Sequence, residues 1–208
     1  MNKYVIFDID GTLNQTALYA LEAYKKALKK RGREVKDSEI ISCIGLSPAG
    51  IIEKLFHSLP DEELKEWRKD IRDCEFELME KNAAAFPGVR ESLEKLQEAG
   101  YGLAICSNAF PEHIERVLEM IGVRQYFPII GSLLMGGSKP EVLGALLKKL
   151  GCESACMVGD RKFDIEAARE NHIPVIGCAY GYAPDEISSA DRVVRHAGEI
   201  AGAVMELI

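Results

Sequence analysis

The residues able to do chemistry in this 208-residue chain are carboxylates set beside short apolar runs. Asp8 and Asp10, two residues apart, follow Tyr4-Val5-Ile6-Phe7. Asp160 and Asp164 follow the run at 155–158, Ser107-Asn108 follows the run at 101–106, and Lys139 stands just before Pro140. Carboxylates gathered at one place repel unless a hard cation sits between them, and their oxygens are the ligands Mg²⁺ takes. The expected metal set is Asp8 and Asp160 through their carboxylates and Asp10 through its backbone carbonyl, with Asp164 behind them or acting through water. Given that cation, Asp8 can attack phosphorus and form an aspartyl-phosphate. Asp10 can protonate the leaving oxygen and then take a proton from the incoming water. Gly11 and Thr12 are expected to leave backbone N–H groups free, and Ser107, Asn108 and Lys139 to donate to the phosphoryl oxygens. A lone loop Asp usually caps a helix or decorates a turn. Arrival at three strand ends and one helix start sets these residues apart.

The elements that must position them follow a regular order. Residues 3–7 form a β-branched and aromatic run that empties into Asp8-Ile9-Asp10-Gly11-Thr12, the pattern of a buried strand ending in a polar loop. From Gly100 the pattern alternates: strands at 101–106, 128–131, 155–158 and 173–177, helices at 111–121, 140–150 and 163–171. Pro111 and Pro140 sit where first helical turns begin, Gly122 and Gly151 where helices end. Alternation of this kind predicts an α/β fold, a parallel sheet with crossover helices, whose strand ends open on one ligand-binding crevice. Residues 15 to about 85 read as helix only. One helix carries Leu18, Leu21, Tyr24 and Leu28 on one face and ends at Gly32, a second opens at Ser47-Pro48, and a charged third spans 61–82. The predicted organisation is a core of residues 1–14 and 86–208 with a small all-helical cap, residues 15–85, inserted over the carboxyl edge of the sheet.

Composition narrows the partners. Twenty-six Lys and Arg against 33 Asp and Glu give a net charge of -7, the wrong sign for a protein that neutralises nucleic-acid phosphates. No apolar run of membrane-spanning length occurs, and Asp8 and Asp10 interrupt the first apolar stretch too early for a signal peptide. A cytoplasmic protein with no nucleic-acid or membrane partner, monomeric or dimeric, is expected. The six cysteines are scattered and read as reduced thiols, and no second pair joins Cys152 and Cys156 in a zinc site.

Four segments in register resemble the motifs of the haloacid dehalogenase superfamily. Asp8-Ile9-Asp10-Gly11-Thr12 resembles its first motif, DxDGT, and Ser107, closing Ile105-Cys106-Ser107-Asn108, its second. Lys139 in Ser138-Lys139-Pro140 resembles the third, and Gly159-Asp160 through Asp164 resembles the fourth, GDxxxD. The spacing is similar to that of members with a helical cap between motifs one and two, which include phosphoglycolate phosphatases. The resemblance implies a Rossmann-like core, Mg²⁺ as cofactor, Asp8 as nucleophile, Asp10 as acid and base, and a small phosphorylated metabolite as substrate. Superfamily members that attack carbon lack the second acid, so Asp10 favours phosphoryl transfer. The segment Cys43-Ile44-Gly45-Leu46-Ser47 resembles the substrate-specificity loop of capped relatives, which makes Gly45 and Ser47 candidate substrate contacts. Ser47 also reads as a helix N-cap. Many relatives follow the first motif with an acidic and a small polar residue, where this chain has Leu13-Asn14-Gln15-Thr16.

Three functions remain open at this point. The leading one is a Mg²⁺-dependent phosphatase, phosphoglycolate phosphatase-like, acting through an aspartyl-phosphate. A mutase of the β-phosphoglucomutase type shares the catalytic loop. A non-catalytic module that binds a phosphorylated ligand is the third, although no motif residue is missing. The near-Walker segment 131–138 carries Gly137 where the lysine belongs, so nucleotide cradling is not expected. Arg161 and Lys162 read as a solvated loop, the four histidines as surface or packing residues, and Trp67 as a packing contact.

Overall fold

A computed structural model describes residues 2–208. Among the described residues, six strands form one parallel sheet in the order β3-β2-β1-β4-β5-β6, with β1 (Lys3–Phe7) at its centre. Its partners are β2 (Gly102–Cys106) and β4 (Ser154–Gly159), flanked by β3 (Ile129–Gly131), β5 (Val175–Cys178) and β6 (Arg192–Val194). Val5 and Phe7 turn to one face of β1 and Ile6 to the other, the alternation every strand imposes. On the first face they join the helices α5 (Val89–Glu98), α6 (Pro111–Met120) and α9 (Ile200–Leu207). On the second face Ile6 packs with α7 (Lys139–Leu150) and α8 (Lys162–Glu170). Burial on both faces explains why the inner strands read as continuous apolar runs.

Register decides where the chemistry lands. Phe7 pairs with Ile105 on one side and Val158 on the other, so the loops that begin at Asp8, Ser107 and Asp160 leave the sheet side by side. The order of strands reverses at β1, the topological switch at which open parallel sheets bind ligands.

Four helices lie in the chain between β1 and α5: α1 (Ala17–Lys29), α2 (Asp37–Ile41), α3 (Pro48–Phe56) and α4 (Asp61–Asn82). Trp67 of α4 is buried with edge-on contacts to Tyr24 of α1 at 5.9 Å and Phe56 of α3 at 4.8 Å between ring centroids. Arg31, two residues past the end of α1, pairs with Asp70 of α4 at 2.7 Å. The outward and return crossings of this segment run together: Gln15 N–H donates to Ala84 O and Phe86 N–H to Leu13 O, each at 2.9 Å.

The five-residue α2, the helices α5 and α9, and the strand β6 were not expected from the sequence. β6, Arg192-Val193-Val194, has only three residues, two of them exposed at the sheet edge, too short to stand out as an apolar run. No helix of the described residues is long and apolar enough to cross a membrane.

Candidate active site

The tight turn after β1 places the first two carboxylates. Asn14 N–H donates to Ile9 O at 2.9 Å and Gly11 N–H to Asn14 O at 3.1 Å, closing residues 9–14 on themselves. Gly11 takes φ +84°, and a Cβ there would stand 2.2 Å from Asp160 Oδ2. Only glycine meets both demands. Thr12 N–H donates to Ile9 O at 3.2 Å. The expectation that Gly11 and Thr12 leave free N–H groups is therefore corrected: the turn itself engages both. Neither Ile9 nor Asp10 directs its N–H to an acceptor among the described residues, so the free donors lie one step earlier in the loop. Thr12 is buried, its hydroxyl 3.5 Å from Asp160 Oδ1.

Asp8, Asp160 and Asp164 come together, each offering a carboxylate oxygen within 4.8 Å of the others, all buried. Lys139, at the start of α7 and also buried, reaches Asp8 Oδ1 at 2.7 Å and Asp164 Oδ1 at 2.6 Å. Asp8 Oδ2 is left buried without a hydrogen-bond partner among the described residues. Burial, with Asp164 nearby, raises the Asp8 pKa to about 7 against the pull of Lys139. Asp160 is raised by burial and by Asp8 and Asp164. Burial opposes the charge on Lys139, but Asp164 and Asp8 overcome it and hold the ammonium above its ordinary range. One ammonium, paired with Asp8 and Asp164, serves a cluster of three buried carboxylates, one of whose oxygens has no hydrogen-bond partner among the described residues. This donor set fits a hard divalent cation such as Mg²⁺. Asp10 lies outside the cluster, and its Oδ1 accepts the Thr16 hydroxyl at 2.6 Å.

The remaining sequence candidates divide. Ser107 is buried at the end of β2, its Oγ accepting Ala109 N–H at 3.2 Å, which leaves its own hydrogen to give. Asn108 does not give its side-chain N–H to the carboxylate cluster: Nδ2 donates to Gly45 O of the 43–47 loop at 3.1 Å. Gly45 lines a cavity between the inserted helices and the sheet edge. Ser47 does not, since its Oγ accepts Gly50 N–H at 3.2 Å and caps α3.

Arg161 is buried, contrary to the solvated loop expected from two adjacent basic residues. It pairs with Glu186 at 3.0 Å and donates to Ile44 O, so the residue after Asp160 grips the same loop as Asn108. His113 lines the cavity, half-buried and tilted against Phe76. Thr16, Glu75, Tyr180 and Tyr182 carry no sequence motif and were missed. Tyr182 N–H donates to Asp160 Oδ2 at 2.8 Å, its hydroxyl accepts Ala17 N–H at 2.7 Å, and Tyr180 donates to Thr12 O at 2.9 Å. The signal was an aromatic pair around a glycine, Tyr180-Gly181-Tyr182, just past a strand end. The Asn14 departure also has a structural role: its buried Nδ2 donates to Thr16 Oγ1 at 2.8 Å and Tyr19 Oη at 2.9 Å, behind Asp10.

A family model described as haloacid dehalogenase-like hydrolase matches residues 5–178. The probable phosphatase IndB of Dickeya dadantii is 30% identical over 100% of this chain and 96% of its own. The phosphoglycolate phosphatase of Aquifex aeolicus is 30% identical over 86% of each chain. The crystal structure of a predicted phosphatase from Clostridium acetobutylicum superimposes with a TM-score of 0.87 at 25% identity, covering 100% of both chains.

Proposed function

Since the chain belongs to the haloacid dehalogenase-like hydrolases and is a phosphatase of that family, we propose that it hydrolyses a small phosphorylated metabolite with Mg²⁺ through a phosphoester on Asp8. One observation carries this reading: Asp8 Oδ2 is buried without a partner inside a cluster of three carboxylates and one lysine. Phosphoglycolate, named for relatives such as the Aquifex protein, is the first ester to assay.

Lys139 keeps Asp8 oriented, and Asp8 attacks phosphorus while the bond from phosphorus to the ester oxygen breaks. The Asp10 carboxyl gives its proton to the leaving alkoxide. Thr16 holds Asp10 in place through the 2.6 Å hydrogen bond, so the acid stays at the cavity. In the second half, water gives a proton to the Asp10 carboxylate and attacks phosphorus. The phosphorus–Oδ bond breaks, releasing phosphate and restoring Asp8. Residues 9 and 10 offer backbone N–H groups, and Ser107 its hydroxyl, to the phosphoryl oxygens as charge shifts among them. A magnesium ion held by Asp8, Asp160 and the Asp10 carbonyl, with Asp164 behind, would offset the crowded negative charge. Residues 15–85 act as a cap in this reading, limiting the water that reaches the phosphoester.

The test is phosphate release from a generic phosphomonoester with and without Mg²⁺, joined to hydroxylamine trapping of an acyl-phosphate at Asp8. Magnesium-dependent release and a hydroxamate at Asp8, both lost in Asp8→Asn, are expected. Undiminished turnover by Asp8→Asn overturns the reading.

A further inference from the structure

The cavity beside Asp10 has a volume of about 330 Å³. That is within the roughly 300–1,000 Å³ of sites that enclose whole organic ligands. Of the catalytic carboxylates, only Asp10 lies on its wall, so the cavity receives what departs from phosphorus, not the phosphoryl group. Its wall is mostly hydrocarbon and aromatic. Trp67, Ile71 and Glu75, spaced four apart, form one stripe of α4, and Tyr24, Ile52 and Phe110 close the space around them.

Two features of this wall are at odds with a small anion. The buried cations near the site are already paired, Lys139 with Asp8 and Asp164, Arg161 with Glu186. Arg68 and Arg72 reach only the rim, where both are exposed. Beside the apolar stripe of α4 stands a half-buried acid, Glu75, in a lining whose other polar groups include Thr16, Asn108 and His113. It has no hydrogen-bond or ion-pair partner among the described residues, and His113 and Asp10 act on it through charge alone. Burial pushes its carboxyl up to about 7, the expected response of an unpaired acid in an apolar wall. A carboxylate on the leaving group would meet this acid inside the cavity, while the arginines of the lining, Arg68 and Arg72, stand exposed at the rim. A two-carbon group would also leave most of the apolar wall to water.

Resting on the phosphatase reading above, we propose that the preferred substrate is the phosphomonoester of a bulky, mainly apolar alcohol bearing a hydrogen-bond donor for Glu75, not an ester of a small hydroxy acid. The apolar wall supplies affinity by burial and Glu75 supplies selection, since a donor can bond its carboxyl oxygens whichever protonation state it holds, whereas an apolar group leaves the carboxyl unpaired. Trp67, Ile71 and Glu75 are then specificity-determining residues for the leaving group.

The experiment compares three primary alkyl phosphates on the purified full chain with Mg²⁺: phosphoglycolate, 2-phenylethyl phosphate and 2-(4-aminophenyl)ethyl phosphate. The amino ester is expected to have kcat/KM at least about tenfold above phosphoglycolate and several-fold above the phenyl ester. In Glu75→Leu the amino ester should fall to the level of the phenyl ester. As a measurement on the unaltered chain, the free alcohol 2-(4-aminophenyl)ethanol should compete at least about tenfold more tightly than glycolate. Phosphoglycolate turning over as fast as or faster than both aromatic esters overturns this inference and leaves the phosphatase reading intact. If neither these esters nor p-nitrophenyl phosphate releases phosphate, the phosphatase reading itself fails, and this inference with it.

Discussion

The backbone N–H of Tyr182 donates to Asp160 Oδ2 at 2.8 Å and holds that carboxylate in place. The approach depends on Gly181, where a Cβ would stand 2.3 Å from Asp160 Cβ. The residue that orients a metal-binding carboxylate in this way commonly governs affinity as strongly as a ligand does. Gly181→Ala is therefore expected to weaken Mg²⁺ binding by about 10–100-fold, read by calorimetric titration. Unchanged affinity would show that Asp160 does not depend on this loop.

Asp10 and Thr16 form the second relationship with a kinetic consequence. Asp10→Asn should reduce kcat by roughly 10²–10⁴-fold, the usual contribution of a positioned acid and base. Thr16→Val removes the 2.6 Å hydrogen bond but leaves the carboxyl, so its loss should be smaller and accompanied by a shifted pH profile. A Thr16→Val enzyme with the parent's kcat and pH profile would mean that packing alone orients Asp10.

Stability should depend jointly on pH and magnesium. Asp8 is raised to about 7 and Asp160 is raised above its ordinary value, so the metal-free folded state binds more protons than the unfolded chain. The stability these groups contribute is fully present below their unfolded pKa of about 4 and is lost as pH rises through about 7. A cation bound to the ionised cluster reverses that loss. The rise in Tm on adding Mg²⁺ is thus expected to be larger at pH 8 than at pH 5. A Tm response independent of pH would contradict the cluster as the binding site.

Arg161 ties the 43–47 loop to the core through Ile44 O and Glu186. Removing a charged hydrogen bond of this kind costs about 1.5–3 kcal/mol. Arg161→Ala should therefore raise KM by about tenfold or more while kcat changes less, with faster limited proteolysis in residues 42–47. Proteolysis at the parental rate would indicate that Asn108 and the apolar contacts hold the loop without it.

Much of this protein could be read from residue order alone. The inner strands are buried on both faces and so are continuously apolar, the prolines and glycines punctuate α6 and α7, and Asp8, Asp10, Ser107, Lys139 and Asp160 fall at strand ends or a helix start. These are local signals, written within a few residues of the group they place. The tertiary structure decided what depends on contacts between distant segments. It engaged the Gly11 and Thr12 N–H groups inside the turn, drew Asn108 and Arg161 to the 43–47 loop, and brought Tyr182 to Asp160. It also decided that Glu75, one acid among many in a charged helix, faces the cavity together with Trp67 and Ile71. Helical periodicity shows which residues share a face, but only the packing of α4 against the rest of the chain determines whether that face meets solvent, core or substrate.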